Sequence, residues 1–179
     1  MHTYVALLYS IVLGEGRRVV MADLKAMAEQ VGLKNVSTLV ATGNLVFECD
    51  ERPIGVLEDL LEAAFEKTFG RNVDILVRDA AAWRRLAQGN PFPAQSADAG
   101  NQVAVRVMRE PVTEDAVAQL QSHAAEDEQV ILVDGDIWVV FSRQRPSSRL
   151  LSAANHKLMG IGTARNWNTV RKLAEMVAR

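Results

Sequence analysis

The sequence predicts an α+β fold of two tandem ferredoxin-like (βαββαβ) units, with a linking helix between them and a further helix at the C-terminus. Three observations predict it. Strand-like and helix-like runs follow the order strand, helix, strand, strand, helix, strand; that order recurs after residue 100; and a cluster of turn formers, Asn90-Pro91-Phe92-Pro93, separates the two copies.

Each element has its own reason. Thr3 to Ile11 is apolar and β-rich, far shorter than a membrane span, and lacks the basic stretch and small-residue site of a signal peptide, so it reads as a buried strand. Met21, Leu24, Met27, Ala28 and Val31 fall at helical spacing before Gly32. Val36 to Val40 and Asn44 to Glu48 are short β-type runs around a turn at Thr42-Gly43. Pro53 opens a helix carrying Leu57, Leu61, Ala64 and Phe65 to a stop at Gly70, and Val73 to Arg78 closes the first unit as a strand. Asp79 caps a short helix bearing Trp83 and Leu86, and Gly89 to Gly100 reads as a loop.

The second copy begins with a strand at Gln102 to Met108. Thr113 caps a helix carrying Val117 and Leu120, and Val130 to Val133 pairs with Ile137 to Phe141 through Asp134-Gly135. Ser148 caps the next helix, through about Leu158, and Ile161 to Ala164 forms a strand before the last helix. The expected boundaries are 1–78, 79–100 for the linking helix and Pro-containing loop, and 101–179.

With 179 residues, 49% hydrophobic and 23% charged, the chain has the composition of an ordinary globular protein. Cys49 is the only cysteine, which excludes an intramolecular disulfide and makes a reducing, cytoplasmic setting the simplest reading. As a nucleophile Cys49 is disfavoured, because Asp50 and Glu51 beside it raise a thiol pKa. Gly14-Glu15-Gly16 lacks the third glycine of a dinucleotide fingerprint and reads as a turn. His2, His123 and His156 share no ligand spacing with Cys49, and Asp134-Gly135-Asp136 lacks the other oxygens a calcium loop needs. No metal or cofactor is expected.

Charge is distributed unevenly. Residues 1–142 hold 12 Lys+Arg against 21 Asp+Glu, whereas residues 143–172 hold seven basic residues and no acidic one. A helix start inside such a segment attracts anions. The run Gly162-Thr163-Ala164-Arg165-Asn166-Trp167-Asn168-Thr169-Val170 therefore has two readings. In one, Thr163 or Asn166 caps the last helix, Trp167, Val170, Leu173 and Val177 form its buried stripe, and Arg165 pairs with acids around Glu126 to Glu128. In the other, Arg165, Asn166 and Asn168, with Arg149, bind an anionic group.

Several of these stretches resemble a bacterial family known as domain of unknown function 1697. They are Tyr4-Val5-Ala6-Leu7-Leu8, Met21 to Gly32, Ala41-Thr42-Gly43-Asn44-Leu45-Val46-Phe47, Asn90-Pro91-Phe92, and Thr163 to Val170. The resemblance implies an α+β fold of two ferredoxin-like units and carries no activity. Members typically read Arg-Gly-Ile-Asn after the first strand, where this chain has Tyr9, Ser10, Ile11 and Val12. A glycine turn and Ser-Lys are replaced by Arg143-Gln144-Arg145-Pro146 and Ser148-Arg149. A family site on the first-strand loop would be lost or altered here.

The expected function is a noncatalytic cytoplasmic module that binds a small phosphate- or carboxylate-bearing ligand through the basic C-terminal segment. An enzyme acting on a small metabolite in the cleft between the two units is the alternative. A nucleic-acid-binding or dimer-forming role is a third, disfavoured for nucleic acid by the net charge of −2 and the missing aromatic motif of RNA-binding sheets. No membrane partner is expected, and the oligomeric state is not fixed by the sequence.

Overall fold

The computed structural model describes residues 1–142 and 149–179, which form an α+β fold with antiparallel sheets. They divide into two compact units, Met1–Leu86 with Lys172–Arg179, and Ala87–Arg171.

In the first unit, β1 (His2–Leu8) is followed by a small hairpin of β2 (Val12–Gly14) and β3 (Arg17–Arg18), then α1 (Met21–Gln30), β4 (Lys34–Leu39), β5 (Asn44–Cys49), α2 (Ile54–Phe69) and β6 (Ile75–Asp79). The sheet runs β4-β5-β1-β6. Alternation in β1 sends Tyr4, Ala6 and Leu8 into a core with Leu24 and Met27 of α1 and Leu57, Leu61 and Phe65 of α2. Val5 and Leu7, on the other face, are also buried, which is why β1 is written as an unbroken apolar run. The hairpin at Gly14-Glu15-Gly16 joins strands too short to show a periodicity.

Helix α3 (Ala80–Gln88) then leads into the second unit, where α4 (Pro93–Ala99) precedes β7 (Val103–Met108), α5 (Glu114–Gln121), β8 (Gln129–Val133), β9 (Asp136–Val140), α6 (Arg149–Ala153), α7 (His156–Met159), β10 (Gly162–Asn166) and α8 (Trp167–Val177). α3 begins within the first unit, and α8 ends there. The second sheet runs β10-β7-β9-β8. Numbered in chain order within its own four strands, each sheet has the strand order four, one, three, two. Thr113 Oγ1 accepts the Ala116 N–H at 3.2 Å and starts α5 as its sequence implies.

Two expectations are corrected. The segment Gly89 to Gly100 is not all loop: Pro93 starts α4 at a first-turn position where its missing N–H costs nothing, and Ala94 to Ala99 holds no further proline or glycine. The helix expected through Leu158 is two short pieces, because Asn155 turns extended and its side chain caps α7, accepting the Leu158 N–H at 3.1 Å. The cap expected at Ser148 lies outside the described residues.

The edge of the first sheet is closed by side chains. β6 pairs with β1 on one side; on the other, Glu58 Oε1 accepts the Val77 N–H and Glu62 Oε1 accepts the Ile75 N–H, each at 3.0 Å. Carboxylates of α2 thus replace the missing neighbour strand and blunt an edge that would otherwise template pairing. Replacing Glu58 by Ala strips a buried N–H of its acceptor, so Glu58→Ala is expected to lose about 1–3 kcal/mol in urea unfolding, with Glu58→Gln losing less because an amide oxygen still accepts.

Candidate functional site

The expected anion residues lie in different environments. Arg165, on β10, is buried at 7% exposure and donates through Nη1 to Thr163 Oγ1 at 2.8 Å and to the Ala164 carbonyl at 2.9 Å. Burial pushes its pKa down to about 10, which still leaves the guanidinium charged at neutral pH. Asn166 caps α8, its Oδ1 accepting the Thr169 N–H at 3.0 Å. Asn168 is exposed, with its side-chain oxygen over Gly100. Arg149 is exposed at the start of the five-residue α6. Glu128, near which Arg165 was expected to pair, accepts from the N–H groups of Ala125 and Ser142, both at 3.1 Å. Arg143 and Arg145 of the basic segment lie outside the described residues.

A pocket of about 490 Å³ in the first unit gathers the polar chemistry that the sequence reading missed. It opens where β1 begins and where the chain passes from β5 into α2 and from β6 into α3; its lining includes His2, Tyr4, Glu51, Arg52, Ile54, Asp79 and Arg84. Tyr4 is only 3% exposed, and its ring stacks on Phe47 with centroids 5.6 Å apart. Its hydroxyl oxygen accepts the Arg52 N–H at a long 3.4 Å, and among the described residues nothing accepts its own proton.

The start of α2 supplies more donors. Its N-cap position is Pro53, which offers no side-chain cap, and among the described residues nothing accepts from the N–H groups of Ile54 and Gly55. Of these two residues, Ile54 lines the pocket. The start of α3 is already capped, with Asp79 Oδ1 accepting the Ala82 N–H at 2.7 Å. Arg84 donates to the Val177 carbonyl at 3.3 Å, and His2 lies 3.9 Å from Glu51, both of that pair being well exposed.

A second pocket, of about 300 Å³, has among its described lining residues Asp98 and Asp127. Among the described residues no three His, Cys, Asp or Glu side chains gather as a metal site. No helix of the described residues is long and apolar enough to cross a membrane. Cys49 is buried, and its thiol pKa is raised first by that burial, with Arg52 opposing and Asp50 adding to it, so it stays protonated at neutral pH.

Both helix starts that line the pocket are legible in the sequence, as Pro53 and Asp79. Their convergence on Tyr4 is not, because it depends on strand pairing across 75 residues, Tyr4 standing opposite Asp79 in the β1–β6 ladder.

The family described as "Protein of unknown function (DUF1697)" matches residues 1–138. No curated protein matches the chain. Among solved structures, a conserved bacterial protein of Streptococcus pneumoniae is similar in fold, with a TM-score of 0.77 and 21% identity over 100% of this chain and 99% of that one.

Arg165 and Asn166 are tested by stability. Arg165→Ala leaves the oxygens it serves without that donor and is expected to cost about 1–3 kcal/mol. Asn166→Ala is expected to cost about 0.5–2 kcal/mol, and Asn166→Asp almost nothing, because aspartate caps equally well. Denaturant midpoints at unchanged slope check all three.

Proposed function

Because the chain belongs to the DUF1697 family of proteins of unknown function, which brings no activity with it, we propose a function from its own side chains. It is a noncatalytic module that binds a small phosphate- or carboxylate-bearing ligand, seated in the pocket at the start of α2. The fold that carries it is a tandem pair of ferredoxin-like units, a reading supported by the four-one-three-two strand order of both sheets. A cytoplasmic setting and a linker over residues 79–100 belong to the same proposal.

One observation carries the site. A tyrosine that is only 3% exposed, its hydroxyl proton not taken by any acceptor among the described residues, lines a pocket together with the uncapped start of α2 at Ile54 and two arginines. A buried O–H that faces a cavity gains most from an acceptor, and a negatively charged one gains more than a neutral one. The helix start adds partial positive charge at the same place. Arg165 and Asn166 are engaged in holding β10 and α8, which leaves the pocket as the better seat for the anion.

The test is an amide chemical-shift titration with inorganic phosphate and with propionate at low salt. Tyr4→Phe removes the donor but keeps the ring on Phe47, so affinity is expected to fall about tenfold or more, the worth of one hydrogen bond to a charged group. Arg149→Ala and Asn168→Ala are expected to leave affinity unchanged. The opposite pattern, with those two variants weakened and Tyr4→Phe intact, moves the site to the basic C-terminal segment and refutes this placement.

A further inference from the structure

This inference rests on the anion-binding reading of the pocket and narrows its ligand class. We infer that the pocket takes a small α-amino acid, a zwitterion whose carboxylate sits on the Tyr4 hydroxyl and the first amide of α2, at Ile54, while its ammonium sits on Asp79. Tyr4 and Asp79 are direct cross-strand partners, so both side chains rise from one face of the sheet with roots about 5 Å apart. One oxygen of Asp79 caps α3, and the other is left to accept.

The charge pattern decides between ligands. Asp79 and the well-exposed Glu51 line the same pocket as Arg52 and Arg84, so the lining carries both signs. A phosphate dianion seated on Tyr4 would stand beside the Asp79 carboxylate, and like charges at that separation repel. An amino group next to the ligand's carboxylate turns the same neighbour into a partner. The volume of about 490 Å³ falls in the range of small-molecule sites.

An amide chemical-shift titration of the full chain at neutral pH, with L-alanine, propionate, ethylammonium and inorganic phosphate as probes, tests this. L-Alanine is expected to bind at least about tenfold more tightly than the other three, with shifts at Tyr4, Ile54 and Asp79. Asparagine still caps α3, so Asp79→Asn is expected to keep the fold while driving the alanine-to-propionate affinity ratio toward one. Propionate or phosphate binding as tightly as alanine, or a ratio that survives Asp79→Asn, overturns the amino-acid inference and leaves the anion pocket standing. No shift at these residues with any probe overturns both.

Discussion

The first unit hangs on the grip of α2 along the free edge of β6. Glu62 takes the N–H of Ile75 and Glu58 that of Val77, so the helix and the strand run in opposite directions in a fixed register. Four residues of helix rise about 6 Å and two residues of strand about 6.6 Å, so the steps match. One more step places Ile54, the first residue of α2, at the level of Asp79, the last of β6. Asp79 in turn stands opposite Tyr4 on β1. Two carboxylates that look like ordinary helix-surface residues therefore decide where a helix start meets a buried hydroxyl, and the pocket follows from edge protection.

Much of the architecture is legible in the letters because the code is local. Leu57, Leu61 and Phe65 follow Pro53 at helical spacing, and Asp134-Gly135 sits between two β runs; α2 and the β8–β9 hairpin form there. The misreadings are local too. Pro93 looks like loop chemistry until its position at a helix start is seen, and Asn155 looks like one more helix residue until its side chain caps α7. The pocket was hidden for a different reason: Tyr4 and Asp79 are brought together by sheet pairing and Ile54 by the grip of α2 on β6, and no spacing in the chain encodes that.

The polar run before the last helix shows how a conspicuous cluster is absorbed by folding. Arg165 turns back on Thr163 and Ala164 in its own strand, Asn166 spends its oxygen on the start of α8, and Val170, Leu173 and Val177 form the buried stripe. Trp167 tilts against Trp138 at 6.1 Å between ring centroids. Gly162 opens the run because a Cβ there would lie 2.7 Å from the Met108 sulfur and from the Val107 carbonyl. Gly162, Arg165, Asn166, Trp167 and Val170 thus each have a structural cause, and Asn168 alone of the polar letters is exposed.

The same holds at the Ala41-Thr42-Gly43-Asn44 turn. Gly43 sits at φ 80° with no space for a Cβ, which would come within 2.8 Å of Leu8 and Ile11, and the Asn44 amide donates to the Leu39 carbonyl and to Thr42 Oγ1, both at 2.9 Å. Just before it, Val40 holds φ 47°, a left-handed conformation that costs a β-branched residue strain and persists only where its surroundings enforce it. This stretch, one of those through which the chain resembles its family, is thus one the backbone demands. Positions that differ, Tyr9, Ser10 and Val12, flank the buried Ile11, with Tyr9 and Val12 exposed at 47% and 46%. Burial holds one of those four residues, whereas Tyr4, in a stretch that resembles the family, is buried and still lines the pocket, so a single side chain serves the core and the proposed site alike.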